Sequence, residues 1–103
     1  MGTKKIRKVE KAQQKQVVKD VPAENYFYMC NGKVLRNLKE LRDELNSMDE
    51  GSFRYHVNEQ KNDFANWIND IMKDEELANE MKSCKDITQA KQKLDRRLQV
   101  LMR

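Results

Sequence analysis

The stretch FRYHVNEQKNDFANWI, residues 53–68, holds the chain's only histidine, His56, and its only tryptophan, Trp67, among three asparagines and an aspartate. Imidazole titrates near neutral pH, so His56, oriented by Asp63 or Asn58, has the composition of a general base. A hydrolase also needs a nucleophile or a metal. Ser47, Ser52 and Ser83 stand in cap or helix-end contexts, and no serine-containing elbow is present. Cys30, His56 and Cys84 with one carboxylate are the right ligand types for zinc. Structural zinc sites, however, usually bring ligands in local pairs such as Cys-x-x-Cys, and here each ligand would come from a different element. The glycines at positions 2, 32 and 51 form no phosphate-binding loop. These residues predict a hydrogen-bonded structural histidine, with no catalytic residue, no metal and no cofactor.

The elements that would hold the stretch are legible from apolar spacing. Phe64, Trp67, Ile68, Ile71 and Met72 fall at i, i+3, i+4, i+7 and i+8, the pattern of an amphipathic helix. Asn58 is expected to cap it, with Glu59 and Asp63 placing negative charge in its first turns. Before it, Leu38, Leu41, Leu45 and Met48 predict a helix over about 38–48, with Asn37 and Glu40 at capping-box spacing. Gly51 interrupts, and Asp49 or Ser52 can cap a short helix carrying Phe53 and Tyr55. After it, Asp74 opens a helix with Leu77, Ala78 and Met81 inward and Cys84 near its end. Asp86 and Gln89 open the last, striped by Ile87, Ala90, Leu94, Leu98 and Leu101.

Upstream, ENYFYMCNGKVL clusters strand-forming aromatic residues around Asn31-Gly32, the strongest short-range hairpin signal. The expected ribbon pairs residues 26–30 with 33–35 through a type I′ turn. Two strands alone are marginal in water, so the ribbon must lie on the helices. Tyr26, Phe27 and Tyr28 could stack nucleic-acid bases, but Lys33 is the only base near them on the hairpin, and core packing against the Trp67 helix is the better expectation. The predicted class is mostly α: a short N-terminal β-hairpin, then a compact bundle of four to five short helices, preceded by a disordered basic arm.

The division at Pro22 comes from charge. Residues 1–21 carry Lys4, Lys5, Arg7, Lys8, Lys11, Lys15 and Lys19 against Glu10 and Asp20, a net +5. The remaining 82 residues hold fourteen basic and fifteen acidic side chains, a net −1, so all the excess positive charge lies in the first fifth of the chain. Between Gly2 and Gln16 only Ile6 and Val9 are sizeable aliphatics, too few to offset a backbone ordering cost of roughly 1 to 2 kcal/mol per residue. The reading is a flexible arm over 1–21 and a helical domain over 22–103. With 38% apolar and 37% charged residues among 103, any core is small and a deep substrate cavity is not expected. No apolar run approaches the ~18 residues of a membrane helix, and the first residues lack the apolar stretch of a signal peptide. A cytoplasmic protein is expected, with Cys30 and Cys84 as free, partly buried thiols.

The strings ENYFYMCNGKVLRNLKELRDEL and FRYHVNEQKNDFANWINDIMKDEELANEMK resemble a small domain family of unknown function from archaea and bacteria, found alone or appended to larger proteins. The resemblance spans about residues 24–82 and leaves out the arm and the helix after Asp86. It implies a compact, mostly helical accessory module without catalytic activity, and it supplies no functional residues. Tyr55, His56, Asn58, Asn62 and Asp63 are then either a buried hydrogen-bond network or a partner-binding face, and the network is favoured because such groups are costly unless every member is satisfied.

The expected function is a non-enzymatic interaction module that docks on another protein or a larger assembly through its helical surface. The alternative is a nucleic-acid or ribonucleoprotein-associated protein anchored by the seven basic residues of the arm, binding RNA or DNA. A small enzyme or metal protein using His56 is the third reading. No membrane partner is expected. A monomer is favoured over a homodimer through the last helix, because two heptads are too few for a stable coiled coil.

Overall fold

The structure, a computed structural model, describes residues 19–101. The chain enters through Asp20, whose carboxylate accepts from the buried Asn37 side-chain amide at 2.8 Å, and Val21, whose N–H donates to the Arg36 carbonyl at 2.9 Å. Val21 is itself buried, so the packed body begins just before Pro22.

A single 3-10 turn, Ala23–Asn25, leads into strand β1, Phe27–Tyr28, which pairs antiparallel with β2, Val34–Leu35. Phe27 opposes Leu35 on the inner face, and Tyr28 opposes Val34 on the outer, exposed face. The ribbon is shorter than the sequence predicts, and its turn is of another kind. Met29 N–H donates to the Lys33 carbonyl at 2.8 Å and Gly32 N–H to the Met29 carbonyl at 3.0 Å, so the loop has three residues, Cys30-Asn31-Gly32. Only Gly32, at φ +91°, takes the left-handed region there, whereas a type I′ turn would need Asn31 to do so as well. The Asn31 side chain is used instead: its Oδ1 accepts from Lys33 N–H and its Nδ2 donates to Glu44.

Five helices follow: α1 Leu38–Ser47, α2 Glu50–His56, α3 Asp63–Trp67, α4 Glu75–Lys82 and α5 Ile87–Leu101. Each starts on a side-chain cap. Asn37 accepts from Glu40 N–H, Asp49 from Ser52 N–H, Asn62 from Ala65 N–H, Asp74 from Leu77 N–H and Asp86 from Gln89 N–H, all between 2.7 and 3.1 Å. The two capping boxes are offset by one residue. Glu40 accepts from Arg36 N–H at 2.7 Å and Gln89 from Lys85 N–H at 2.8 Å, so each reaches the amide before the cap rather than the cap's own.

The third helix departs most from expectation. Asn62, not Asn58, caps it, and Glu59 stays in the preceding loop, because Asn58 closes a turn of its own through Arg54 and Gln60. After Trp67 the coil widens into a π-helical turn, Ile68–Met72, and ends on Lys73 at φ +60°. Only Lys73 separates that turn from the Asp74 cap of α4, so the reversal falls on a non-glycine residue in the left-handed region, a strained position.

The stripes meet in one core. Leu38, Leu41 and Leu45 from α1, Phe53 from α2, Phe64 and Ile68 around α3, Leu77 and Met81 from α4, and Leu94, Leu98 and Leu101 from α5 are all buried. Helix α5 packs on α1 and α4, and α4 also packs on α3. Among the described residues no helix is long and apolar enough to cross a membrane.

Candidate functional site

His56, the last residue of α2, is 3% exposed. Its Nε2 accepts from the backbone N–H of Cys30 at 3.1 Å, which requires that nitrogen to be unprotonated. Nδ1 therefore carries the proton and donates to Asp63 Oδ2 at 3.0 Å. Phe27 and Tyr55 lie edge-on to the imidazole at centroid distances of 5.1 and 4.9 Å, and Phe64 is tilted against it at 5.4 Å. The ring thus pins the hairpin loop to α2 and α3. A general base needs a free lone pair facing substrate, and here the lone pair is taken by the backbone.

Asp63 is the outer member of the pair. Burial pushes its carboxyl up, but hydrogen bonds from His56 and from Lys61, whose Nζ lies 3.0 Å from Oδ2, more than offset this and hold it below the usual carboxylate range. Asn62 works on a different axis: besides capping α3 it donates through Nδ2 to the Met81 carbonyl at 3.0 Å, tying the start of α3 to the end of α4. Of the five residues singled out in the sequence, His56 and Asp63 form one hydrogen-bonded pair and Asn62 makes a separate tie between α3 and α4. Tyr55, 59% exposed, and Asn58, in the exposed stretch 58–61, make no hydrogen bond to His56 or Asp63. The Tyr55 ring instead has the Lys61 ammonium 4.8 Å from its centroid.

Beside these contacts the surface opens into a cleft of about 570 Å³ between the 57–61 loop, α3 and the end of α4. Arg54, Lys61, Lys82 and Lys85 stand around it with Glu59 as the one acidic residue, and Gln60 and Asn66 contribute side-chain amides. The polar surface of the body is therefore not evenly mixed in charge, although its sum is close to neutral. Lys61 and Arg54 have acidic neighbours, Asp63 at 3.0 Å and Glu50 at 3.2 Å, whereas Lys82 and Lys85 form no ion pair among the described residues. Cys84 lines the cleft but is buried; burial raises its thiol, and Sγ lies 3.4 Å from the Glu80 carbonyl.

The other thiol corrects expectation. Cys30 is exposed at the hairpin tip, because its backbone rather than its side chain makes the anchoring contact. Lys19 is exposed at the edge of the body, and Lys4, Lys5, Arg7, Lys8, Lys11 and Lys15 lie outside the described residues. Among the described residues no group of three His, Cys, Asp or Glu side chains is placed to hold a metal ion.

Two buried charges escaped the sequence reading. Glu44, 5% exposed, accepts from Asn31 Nδ2 at 2.9 Å and lies 3.4 Å from Lys33 Nζ, holding the hairpin tip on α1. Asp74, 3% exposed, pairs with Arg97 of α5 through 2.9 and 3.3 Å contacts. Both carry a signal in retrospect: Glu44 sits on the apolar stripe between Leu41 and Met48, and Arg97 stands one position before Leu98 on the α5 stripe. The cleft carries none, since its bases come from separate elements.

Searches of curated proteins and of solved structures found no match. The family model that does match reaches from residue 20 to residue 101, past the end of the resemblance noted above, so α5 is part of the shared domain. By that coverage, four fifths of its length, the chain belongs to a family of unknown function, DUF5752.

Proposed function

We propose that the protein is a non-enzymatic binding module of the cytoplasm, monomeric, that docks on a macromolecular partner through the face carrying the cleft. The observation that carries this reading is the cleft itself, a surface depression lined by bases and amides. No buried side-chain nitrogen or oxygen among the described residues lacks a hydrogen-bond partner, so the interior holds no polar group in reserve for a substrate.

Capture experiments from extract of the native cells test this. A partner retained by the parent and released by Lys82→Glu/Lys85→Glu, both exposed, supports docking through the cleft. Equal retention by both proteins places the interface elsewhere.

A second reading rests on the charge of residues 1–21, a net +5 against −1 for the rest. In it the arm anchors the protein to RNA or DNA without sequence preference. If about five of the seven bases meet phosphates, log K falls with log salt at a slope of roughly −4. Deleting residues 1–18, which spares the Asp20 and Val21 contacts, abolishes such binding if the arm supplies it. Binding that survives the deletion unchanged removes this reading.

A further inference from the structure

We infer that the cleft between the 57–61 loop, α3 and the end of α4 takes a short segment of single-stranded nucleic acid, an inference that rests on the reading of the protein as a binding module. Three kinds of group stand in or beside it. Lys82 and Lys85 are ammonium groups without an ion pair among the described residues, and Arg54 stands on the same rim. Phosphates spaced along a strand are the anions that such a rim neutralises, with release of counterions.

The helix end that shares this cleft would ordinarily repel an anion, since the last carbonyls of a helix carry its negative pole. Here two of them are engaged. The Met81 carbonyl accepts from Asn62 Nδ2 and Cys84 N–H, and the Glu80 carbonyl from the hydroxyl and N–H of Ser83. The negative pole of α4 is thereby partly masked, while its Lys82 forms no ion pair among the described residues.

The other two kinds of group favour a nucleic acid over an acidic peptide. Gln60 and Asn66 are exposed amides whose side chains make no hydrogen bond within the described protein, and an amide can donate to and accept from a base edge. Tyr55 does not line the cleft, but its exposed ring lies 4.8 Å from the ammonium of Lys61, which does. Bases stack on such rings whatever their sequence, and grooves that combine cations with aromatics bind single strands. A run of carboxylates would satisfy the lysines and leave the amides and the ring unused.

The test is a titration of the full-length, nitrogen-15-labelled chain with a uridine tetranucleotide, a thymidine tetranucleotide and, separately, a hexa-aspartate peptide at low salt. The expected result is saturable movement of the Gln60, Asn66, Lys82 and Lys85 amide signals with either tetranucleotide. Lys82→Gln/Lys85→Gln is expected to weaken tetranucleotide binding by about tenfold and to flatten its salt slope by about 1.4, the share of two single-strand phosphate contacts. Tyr55→Leu is expected to weaken it at least about fivefold, as loss of one stacked base does. Movement confined to residues 1–18 overturns the inference and assigns nucleic-acid binding to the arm. Movement of the cleft signals with hexa-aspartate alone also overturns it, while the binding-module reading survives with an acidic protein as partner. If no probe moves the cleft signals, the inference fails, and the cleft-docking reading stands or falls on the capture experiment.

Discussion

The backbone N–H of Cys30 donates to Nε2 of His56 across 3.1 Å, joining residues 26 positions apart in the chain. This bond fixes the tautomer, turns Nδ1–H towards Asp63 and fastens the hairpin loop to the helical body. By these contacts His56 clamps the hairpin loop to α2 and α3.

His56→Ala removes the acceptor for Cys30 N–H and the donor to Asp63 together. The expected cost is about 1 to 3 kcal/mol, the penalty for unsatisfied polar groups that lose a buried partner. Urea denaturation checks the magnitude, and amide exchange checks the mechanism: Cys30 N–H should exchange much faster while amides within α5 follow only the global change. An unchanged midpoint would mean that the clamp contributes nothing.

Trp67 is buried, packs edge-on to Phe27 at 5.6 Å and donates its indole N–H to the Asn25 carbonyl at 2.8 Å. Trp67→Ala is expected to destabilise by roughly 3 to 5 kcal/mol, the range for truncating a large core aromatic. Trp67→Phe keeps part of the packing and loses the hydrogen bond, so a smaller loss, on the order of 1 to 2 kcal/mol, is expected. A Trp67→Ala protein that melts within a few degrees of the parent would contradict the packing role.

The buried Asp74 pairs with the half-buried Arg97 and also caps α4. Arg97→Ala leaves the Asp74 carboxylate buried without its main partner, at an expected cost of about 3 to 5 kcal/mol. Asp74→Asn combined with Arg97→Met keeps the cap acceptor and replaces the charges by a neutral pair, so the double variant should recover most of that loss. A double variant no more stable than Arg97→Ala would show that the charge itself is not what matters.

Asp63 supplies a pH dependence whose sign follows from its lowered value. The carboxyl stays ionised in the folded protein to lower pH than in the unfolded chain. Its contribution to stability is complete above the unfolded-state value, roughly 4, and is lost as pH falls through the lower folded-state value. Asp63→Asn should therefore flatten the fall in urea midpoint as pH drops below about 4. Asp49, also lowered by hydrogen bonds from Ser52, keeps part of that fall in the variant. An acid limb as steep in Asp63→Asn as in the parent would exclude Asp63 as a source.

Sedimentation of the full-length protein is expected to give a monomer. Ala90, Leu94, Leu98 and Leu101 of α5 are already buried in the domain, leaving Val100 as the exposed large apolar residue of that helix. A tight dimer that dissociates on Val100→Lys would reverse this expectation.

The amino-acid sequence determined the helices and, α3 apart, their starts, because apolar spacing and caps are local properties. Leu38, Leu41 and Leu45 came out as one buried stripe, and Asp74 and Asp86 opened the helices their positions predict. The sequence also separated a basic first fifth from a nearly neutral body. Tertiary structure decided what depends on contacts between distant residues. Asn62 won the cap of α3 because its amide also reaches Met81, nineteen positions away, a choice that Asn58 and its local pattern could not reveal. The hairpin turn took a three-residue form because Asn31 is recruited by Glu44 of α1. The cleft exists only because folding brings Arg54 and Lys61 to one surface with Lys82 and Lys85 from a distant stretch of the chain. Periodicity records which face of an element is apolar, and nothing in it records which charged faces will become neighbours.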